Sequence, residues 1–176
     1  MEALREHALV IGEVTLTSGR KARYYVDAKR AILLPGPFAA LGELLAEQAR
    51  ACGATAVGGV PVSAIPVACA ALAAGFPEKA FIVRKERKPH GLQRWIEGPE
   101  LAPGERCLIV EDVVTSGGST IEAVERVRSE GLEIAGVVSV LDRLAGGADA
   151  IEAATGGAPY VALTTIDDVY PNRPDR

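Results

Sequence analysis

Two acidic residues, Glu111 and Asp112, directly follow the apolar run at residues 108–110. A carboxylate pair at the end of an apolar strand loses hydration free energy unless polar or cationic groups compensate it. Sugar hydroxyls or a bound metal ion could supply that compensation. The pair therefore predicts a binding site for a ligand of this kind.

A small glycine-containing turn, TSGGS at residues 115–119, follows the acidic pair and leads into a predicted helix. Ser119 and Glu122 have the spacing of a capping box. Exposed amides and hydroxyls at a helix N-terminus bind phosphate, because unpaired N–H donors and the helix dipole act together. Alone, the segment fits a plain turn equally well. Next to the acidic pair, it predicts a sugar-phosphate site.

The charges of the chain are unevenly distributed. The net charge is −4, yet residues 19–30 and residues 84–94 each carry +4. The rest of the chain has nine basic and 21 acidic residues, a charge of −12. Nucleic-acid-binding domains are usually positive as a whole, so this pattern favours a small polyanionic ligand.

Length and composition indicate one compact domain. The chain has 176 residues, of which 48% are hydrophobic. No apolar run approaches the roughly 18–20 residues that cross a bilayer, and the N-terminus carries charges where a signal peptide is apolar, so we expect a cytoplasmic protein. Cys52, Cys69 and Cys107 are too few and too scattered for a disulfide framework or a metal knuckle, and all three are predicted to be buried thiols.

Apolar runs of strand length alternate with segments of helical period. Strands are predicted at residues 55–60, 80–84, 107–114, 134–141 and 160–165, helices at 3–10, 36–52, 65–74, 119–130 and 148–154, and a hairpin at 14–27. Continuous apolar strands in such an alternation predict an α/β fold with a parallel sheet covered on both faces. Ligands of these folds bind at the carboxyl ends of the strands. The long polar stretch at 85–106 is typical of a functional loop.

The segment EDVVTSGGST, residues 111–120, resembles the phosphoribosyl-pyrophosphate (PRPP) motif of type I phosphoribosyltransferases, in which two acids hold the ribose hydroxyls and the next loop holds the 5-phosphate. Within that group, VRKERKPHG at 83–91 resembles the mobile catalytic loop of orotate phosphoribosyltransferases. LTSGRKARYYVD at 16–27 is similar to their orotate-site hairpin. LDR at 141–143 is similar to the strand end whose arginine faces the orotate carboxylate, and residues 58–66 are similar to their diphosphate turn.

This resemblance implies a type I phosphoribosyltransferase fold, with a mainly parallel sheet flanked by helices and a small N-terminal hood at about residues 1–35 of a single 1–176 domain. It implies transfer of the phosphoribosyl group of PRPP to orotate, giving orotidine 5′-monophosphate and diphosphate in pyrimidine synthesis. Mg²⁺ would be bound mainly through the diphosphate and ribose of PRPP, without a dedicated protein site. A homodimer with shared active sites is also implied, and no nucleic-acid or membrane partner.

The resemblance also assigns roles to residues. The catalytic residues are Lys88, His90 and Asp112. The PRPP-binding residues are Arg84, Lys85, Lys88, His90, Glu111, Asp112, Val113, Val114, Thr115, Ser116, Gly117, Gly118 and Ser119. The orotate-binding residues are Thr115, Arg143, Tyr25 and Val26.

The chain departs from the family pattern at several positions. Some members have lysine where this chain has Thr17, and a Lys-Gly pair where it has Ser63-Ala64, so the diphosphate turn carries less positive charge here. Arg23 replaces a common proline in the hairpin.

Other interpretations remain open from sequence. The basic run at 84–88 could be a solvated face, and Arg143 could simply pair with Asp142 or Asp149. A type I transferase for a purine or uracil would keep the PRPP motif but would not need a cation at Arg143. A non-catalytic regulator could use the fold to sense PRPP or to bind RNA.

Overall fold

The computed structural model describes residues 1–15, 19, 21–87 and 94–175. The strands are β1 (Leu9–Thr15), β2 (Lys21–Val26), β3 (Ala56–Gly59), β4 (Lys79–Val83), β5 (Ile96–Glu97), β6 (Arg106–Val114), β7 (Glu133–Asp142) and β8 (Tyr160–Thr165). The helices are α1 (Lys29–Ile32), α2 (Pro35–Cys52), α3 (Ala64–Ala73), α4 (Gly118–Ser129), α5 (Gly147–Thr155) and α6 (Ile166–Val169), and a π-helical turn (Leu4–Ala8) precedes β1.

Six strands form one sheet in the order β5-β4-β3-β6-β7-β8. All neighbouring pairs from β4 to β8 are parallel, and the short β5 joins β4 in antiparallel orientation. The predicted α/β class with a mainly parallel sheet is therefore confirmed. Because β6 lies in the middle, the residues that follow it stand at the centre of the carboxyl edge.

Strand β6 is buried on both faces. Leu108 and Val110 contact the apolar cluster that includes α2 and α3, whereas Cys107 and Ile109 contact the cluster that includes α4 and α5. None of the four is more than 1% exposed. Full burial of such an aliphatic side chain contributes about 1.5–3 kcal/mol. The strand that carries the acidic pair is therefore held firmly from both sides.

The N-terminal segment forms a separate two-stranded antiparallel sheet, β1-β2. The hairpin predicted at 14–27 is present, but its first strand begins at Leu9, and the helix predicted at 3–10 is wrong beyond Ala8. Leu9 and Val10 pair with Val26 and Tyr25. This strand pairing prevails over the local helical pattern, as tertiary context often does.

The long excursion after β4 returns to the sheet through β5. The Arg84 amide donates to the Trp95 carbonyl at 2.8 Å, and this hydrogen bond joins the two ends of the excursion. Residues 88–93 lie outside the described part of the chain.

Of the three thiols, Cys107 is buried, Cys52 is half-buried and Cys69 is exposed, so the prediction of buried thiols is wrong for Cys69. Among the described residues, no helix combines the length and apolarity that crossing a membrane requires.

Candidate active site

The two carboxylates at the end of β6 are almost fully removed from water. Glu111 is 7% exposed and Asp112 is 6% exposed. Glu111 accepts hydrogen bonds from the Ser119 hydroxyl at 3.0 Å and from the Asp112 amide at 3.2 Å. Asp112 accepts one from the Val113 amide at 2.8 Å. The two side chains therefore take different partners, and Ser119 ties Glu111 to the first turn of α4.

Lys29, at the start of α1, supplies a cation to the same place. Its Nζ lies 3.4 Å from Oδ2 of Asp112 and 2.9 Å from Oδ1 of Asp27. Burial alone would lower the pKa of Lys29, but the two carboxylates outweigh it and raise the pKa. Sequence reasoning counted Lys29 in a basic segment without giving it a role. The available signal was its position two residues after Asp27, at the end of the hairpin.

Burial and the neighbouring charge of Asp112 raise the pKa of Glu111 to about 7. Removal from water disfavours the ionised carboxylate, and a second carboxylate beside it does the same. Near neutral pH the side chain is therefore divided between its charged and neutral forms. A ligand that donates hydrogen bonds to Glu111 would favour the charged form and release a proton.

We expect Glu111→Gln to be more heat-stable than the wild type at pH 8 but not at pH 5. Because the folded-state pKa is raised, the stability of the protonated form is fully present below pH 4.5 and is lost as pH rises through about 7. Removing the charge should raise Tm by about 2–4 °C at pH 8, the change that 1 kcal/mol produces in a chain of this size. Melting curves from pH 5 to pH 8 measure it. A Tm difference that stays constant or shrinks as pH rises would contradict the assignment.

Gly117 forms the turn between β6 and α4. Its φ is 80°, and a Cβ there would lie 3.0 Å from Ile151 Cγ1 and 3.1 Å from the Gly147 carbonyl oxygen, so glycine is required both by conformation and by space. The predicted capping box is absent, since no side chain caps α4. Ser119 lies inside the helix and donates to Glu111, and Glu122 pairs with Arg126. The first turn of α4 thus has no side-chain cap, which suits an anionic ligand.

A cavity of about 250 Å³ lies beside the acidic pair. It is lined by Val60, Pro61, Ser63, Lys85, Glu111, Asp112, Val113 and Ser119. The structure therefore brings together five of the predicted PRPP-binding residues and the turn between β3 and α3. The end of β3, which leads into that turn, approaches β6 closely, because a Cβ on Gly59 would lie 2.3 Å from the Val110 carbonyl oxygen.

Arg143 stands at the end of β7, next to the turn. Its amide donates to the Val114 carbonyl at 2.9 Å, and its Nη2 donates to the Tyr24 hydroxyl at 2.9 Å. The guanidinium carbon lies 5.0 Å from the centre of the Tyr24 ring. Asp142 instead accepts from the Leu144 amide and the Tyr160 hydroxyl. Pairing of Arg143 with Asp142 is therefore not what the structure shows.

The hairpin places its two tyrosines differently. Tyr24 is 3% exposed and contacts Arg143, whereas Tyr25 is 38% exposed. Val26 is buried in the apolar cluster. The orotate-binding roles of Tyr25 and Val26 stay predictions, and Tyr24 is a residue to which sequence reasoning gave no role in binding. The alternation along β2 indicates that neighbouring tyrosines face opposite sides, but not which of them meets Arg143.

Comparison with known proteins identifies the family. The model of the phosphoribosyl transferase domain matches residues 38–158. The orotate phosphoribosyltransferase of Corynebacterium glutamicum is 47% identical over 169 residues, which cover 96% of this chain and 90% of that protein. The chain belongs to the orotate phosphoribosyltransferase family.

Solved orotate phosphoribosyltransferases share the fold. The enzyme from Mycobacterium tuberculosis, in complex with Fe(III) dicitrate, has a TM-score of 0.85 at 44% identity and covers 96% of this chain and 95% of its own. The same enzyme in complex with PRPP has a TM-score of 0.80 at 39% identity, with 96% and 94% coverage. The sheet and the turn described above therefore belong to a fold in which a relative binds PRPP.

The basic segment at residues 84–94 is only partly described by the structure. Arg84 forms an ion pair with Glu97 of β5, and its carbonyl accepts from Arg126 at 3.1 Å. Lys85 lines the cavity beside the acidic pair. The predicted catalytic residues Lys88 and His90 lie outside the described residues, and their roles stay predictions.

Proposed function

We propose that this protein transfers the phosphoribosyl group of PRPP to a ring nitrogen of orotate, giving orotidine 5′-monophosphate and diphosphate in pyrimidine synthesis. One observation carries the proposal: the buried Glu111–Asp112 pair stands between the uncapped first turn of α4 and the cavity at the β3–α3 turn. A sugar that carries a phosphate at one end and a diphosphate at the other needs this spatial order of groups, with the acidic pair between two anion-binding places.

The ribose 5-phosphate lies along the end of β6. Glu111 and Asp112 accept hydrogen bonds from the ribose hydroxyls, which replaces the hydration that burial removed from them. The phosphate binds the residues of the turn, 115–119, where backbone amides and hydroxyls meet the positive end of the α4 dipole. Val113 and Val114 lie between the acidic pair and the turn, and they contribute to PRPP binding through their backbone.

Cleavage of the bond between ribose and diphosphate creates a cation-like sugar and a departing anion. Asp112 lies beside the sugar and stabilises its positive charge. Arg84, Lys85, Lys88 and His90 neutralise the departing diphosphate, and their segment closes over it to exclude water. No covalent nucleophile is needed, because positioning and charge stabilisation account for the acceleration.

In the proposed reaction, Mg²⁺ would bind together with PRPP. Among the described residues, no group of three or more His, Cys, Asp or Glu side chains could hold a metal ion. The cavity nevertheless presents hard oxygen donors from Ser63, Glu111 and Asp112, which suit Mg²⁺. The ion would be held mainly by diphosphate and ribose oxygens, and it would supply further neutralisation of the leaving group.

Arg143 selects the base. A planar guanidinium makes a two-point contact with the carboxylate of orotate, which uracil and hypoxanthine lack. Thr115 and the backbone of Tyr25 and Val26 complete the base pocket. Transfer requires the base nitrogen to face the sugar carbon, and anchoring Arg143 to Val114 fixes the base relative to the phosphate turn.

The proposal includes the organisation of the whole protein. Residues 1–176 act as one domain in which about 1–35 form the hood, and two copies form a homodimer in which the 84–91 loop reaches the partner's site. Met1 and Leu44 are exposed and line an open apolar cavity of about 440 Å³, which supports an interface there. Because PRPP and orotate are charged and cross membranes poorly, we place the protein in the cytoplasm.

One assay tests the reaction. The protein is mixed with PRPP, Mg²⁺ and either orotate, uracil or hypoxanthine, and the loss of orotate absorbance or the formation of nucleotide is followed. We expect turnover with orotate alone. Turnover with uracil or hypoxanthine but not with orotate would contradict the role of Arg143. Binding of PRPP without turnover of any base would indicate a regulator instead.

A further inference from the structure

Tyr24 joins the predicted orotate arginine to the C-terminal segment. Its hydroxyl accepts a hydrogen bond from Nη2 of Arg143 at 2.9 Å and donates one to Oδ2 of Asp175 at 3.0 Å. The residue is 3% exposed, and the Arg143 guanidinium lies over its ring at 5.0 Å. Tyr24 therefore contacts Arg143 with both its ring face and its hydroxyl.

The C-terminal segment is itself held in place next to the hairpin. The ring of Tyr170 meets the ring of Tyr24 edge-on, with centroids 5.3 Å apart and an interplanar angle of 81°. Nε of Arg173 lies 3.4 Å from Oδ1 of Asp175. Asp175 is thus positioned by Arg173 on one side and receives the Tyr24 hydrogen bond on the other.

The chemistry of the side chains determines the direction of both hydrogen bonds of the Tyr24 hydroxyl. A guanidinium has donors only, so the Tyr24 oxygen must accept from Arg143, and its own hydrogen is left for an acceptor. Asp175 is that acceptor. Burial raises the pKa of Tyr24, although Arg143 opposes the effect, so the hydroxyl keeps its proton at neutral pH.

We propose that Tyr24 is a positioning residue for Arg143, and that Tyr24, oriented by Asp175, directs the arginine fork toward the carboxylate of an anionic pyrimidine before it binds. This inference rests on the proposed function. A free arginine side chain populates many rotamers and loses that freedom when it binds a carboxylate. The Tyr24 contact uses one N–H group on one edge of the guanidinium, which has five N–H groups in all. Fixing that edge in advance reduces the entropy lost when the carboxylate binds.

Tyr24→Phe is the first test, because it keeps the ring and removes only the hydroxyl. We expect KM for orotate to rise about tenfold, the effect of losing one hydrogen bond to a charged group. We expect kcat and KM for PRPP to stay within about twofold. A purely structural defect would instead change both constants together with Tm. Tyr170→Phe is the matched control, because it removes a hydroxyl from the adjacent ring, and no described hydrogen bond involves that hydroxyl.

Asp175→Ala is the second test and does not depend on the stability of the core, because the Asp175 side chain is 56% exposed. Water can replace an exposed carboxylate in part, so we expect KM for orotate to rise by about threefold. The double variant with Tyr24→Phe should match Tyr24→Phe alone, since Asp175 acts only through the hydroxyl.

These variants separate the inference from the function on which it rests. If Arg143→Ala raises KM for orotate while Tyr24→Phe leaves it unchanged, the positioning role is wrong and the proposed function stands. If neither substitution changes it, the role of Arg143 fails as well. Equal increases of KM for orotate and PRPP in Tyr24→Phe, or additive effects in the double variant, would also overturn the inference.

Discussion

Replacing Lys88 with alanine is expected to lower kcat by about 10²-fold or more, the usual effect of removing one preorganised donor from a developing anion. Lys88 lies in the basic segment at 84–94, and the predicted diphosphate turn at 58–66 carries Ser63 where some family members have lysine. In the proposed reaction, the basic segment would therefore provide much of the charge that stabilises departing diphosphate. Steady-state kinetics with saturating PRPP and orotate measure the effect.

Arg87→Ala is the control for this substitution, since it removes an equal charge from the neighbouring position. The Arg87 guanidinium carbon lies 5.7 Å from the centre of the Trp95 ring, and the residue has no assigned contact with substrate. We expect its kcat to fall by less than about threefold, as for loss of an exposed charge. Melting curves should show that neither variant unfolds at assay temperature. Thermal losses in Lys88→Ala that match its catalytic loss would argue against a catalytic role.

Replacing Arg143 with alanine is expected to raise KM for orotate by about 10²-fold, in the range found when one partner of a close charge pair is removed. KM for PRPP should change little, because the proposed ribose and phosphate contacts lie on β6 and the following turn. The variant also loses the contact with Tyr24, so Tm must be measured beside the kinetics. Initial rates over a matrix of orotate and PRPP concentrations give both constants.

Arg143→Lys is the informative companion. Lysine keeps the charge but loses the planar fork, so recovery of only part of the orotate affinity would identify two-point recognition. Full recovery would show that charge alone matters. An unchanged KM for orotate in Arg143→Ala would contradict the assignment of this residue to the base.

The sheet could be predicted from sequence because its central strands are apolar on both faces. The run from 107 to 114 does not alternate, which is typical of a parallel strand covered on both sides, and it occupies a central position in the sheet. The acidic pair was recognisable for the same reason, since charge at the end of such a strand is costly without a ligand. The N-terminal strand was predicted poorly, because it is determined by its pairing with β2 and not by its local sequence pattern.

The individual side-chain contacts between distant segments were beyond sequence reasoning. Lys29 reaches Asp112 across 83 positions, and Arg143 reaches Tyr24 across 119. Neither pair has a local pattern, because only folding of the N-terminal segment onto the sheet brings Tyr24 and Lys29 to these partners. The capping box predicted at Ser119 is wrong because α4 begins at Gly118, so Ser119 lies past the N-cap position, and its hydroxyl donates to Glu111 instead.

The most direct test of the central claim is a crystal structure of the protein with orotidine 5′-monophosphate. We predict that both ribose hydroxyls donate to Glu111 and Asp112, that the phosphate is held by the amides and hydroxyls of residues 115–119, and that the carboxylate of the base meets Arg143. A nucleotide bound at another surface, with the carboxylates at the end of β6 making no contact to the ribose, would contradict the account.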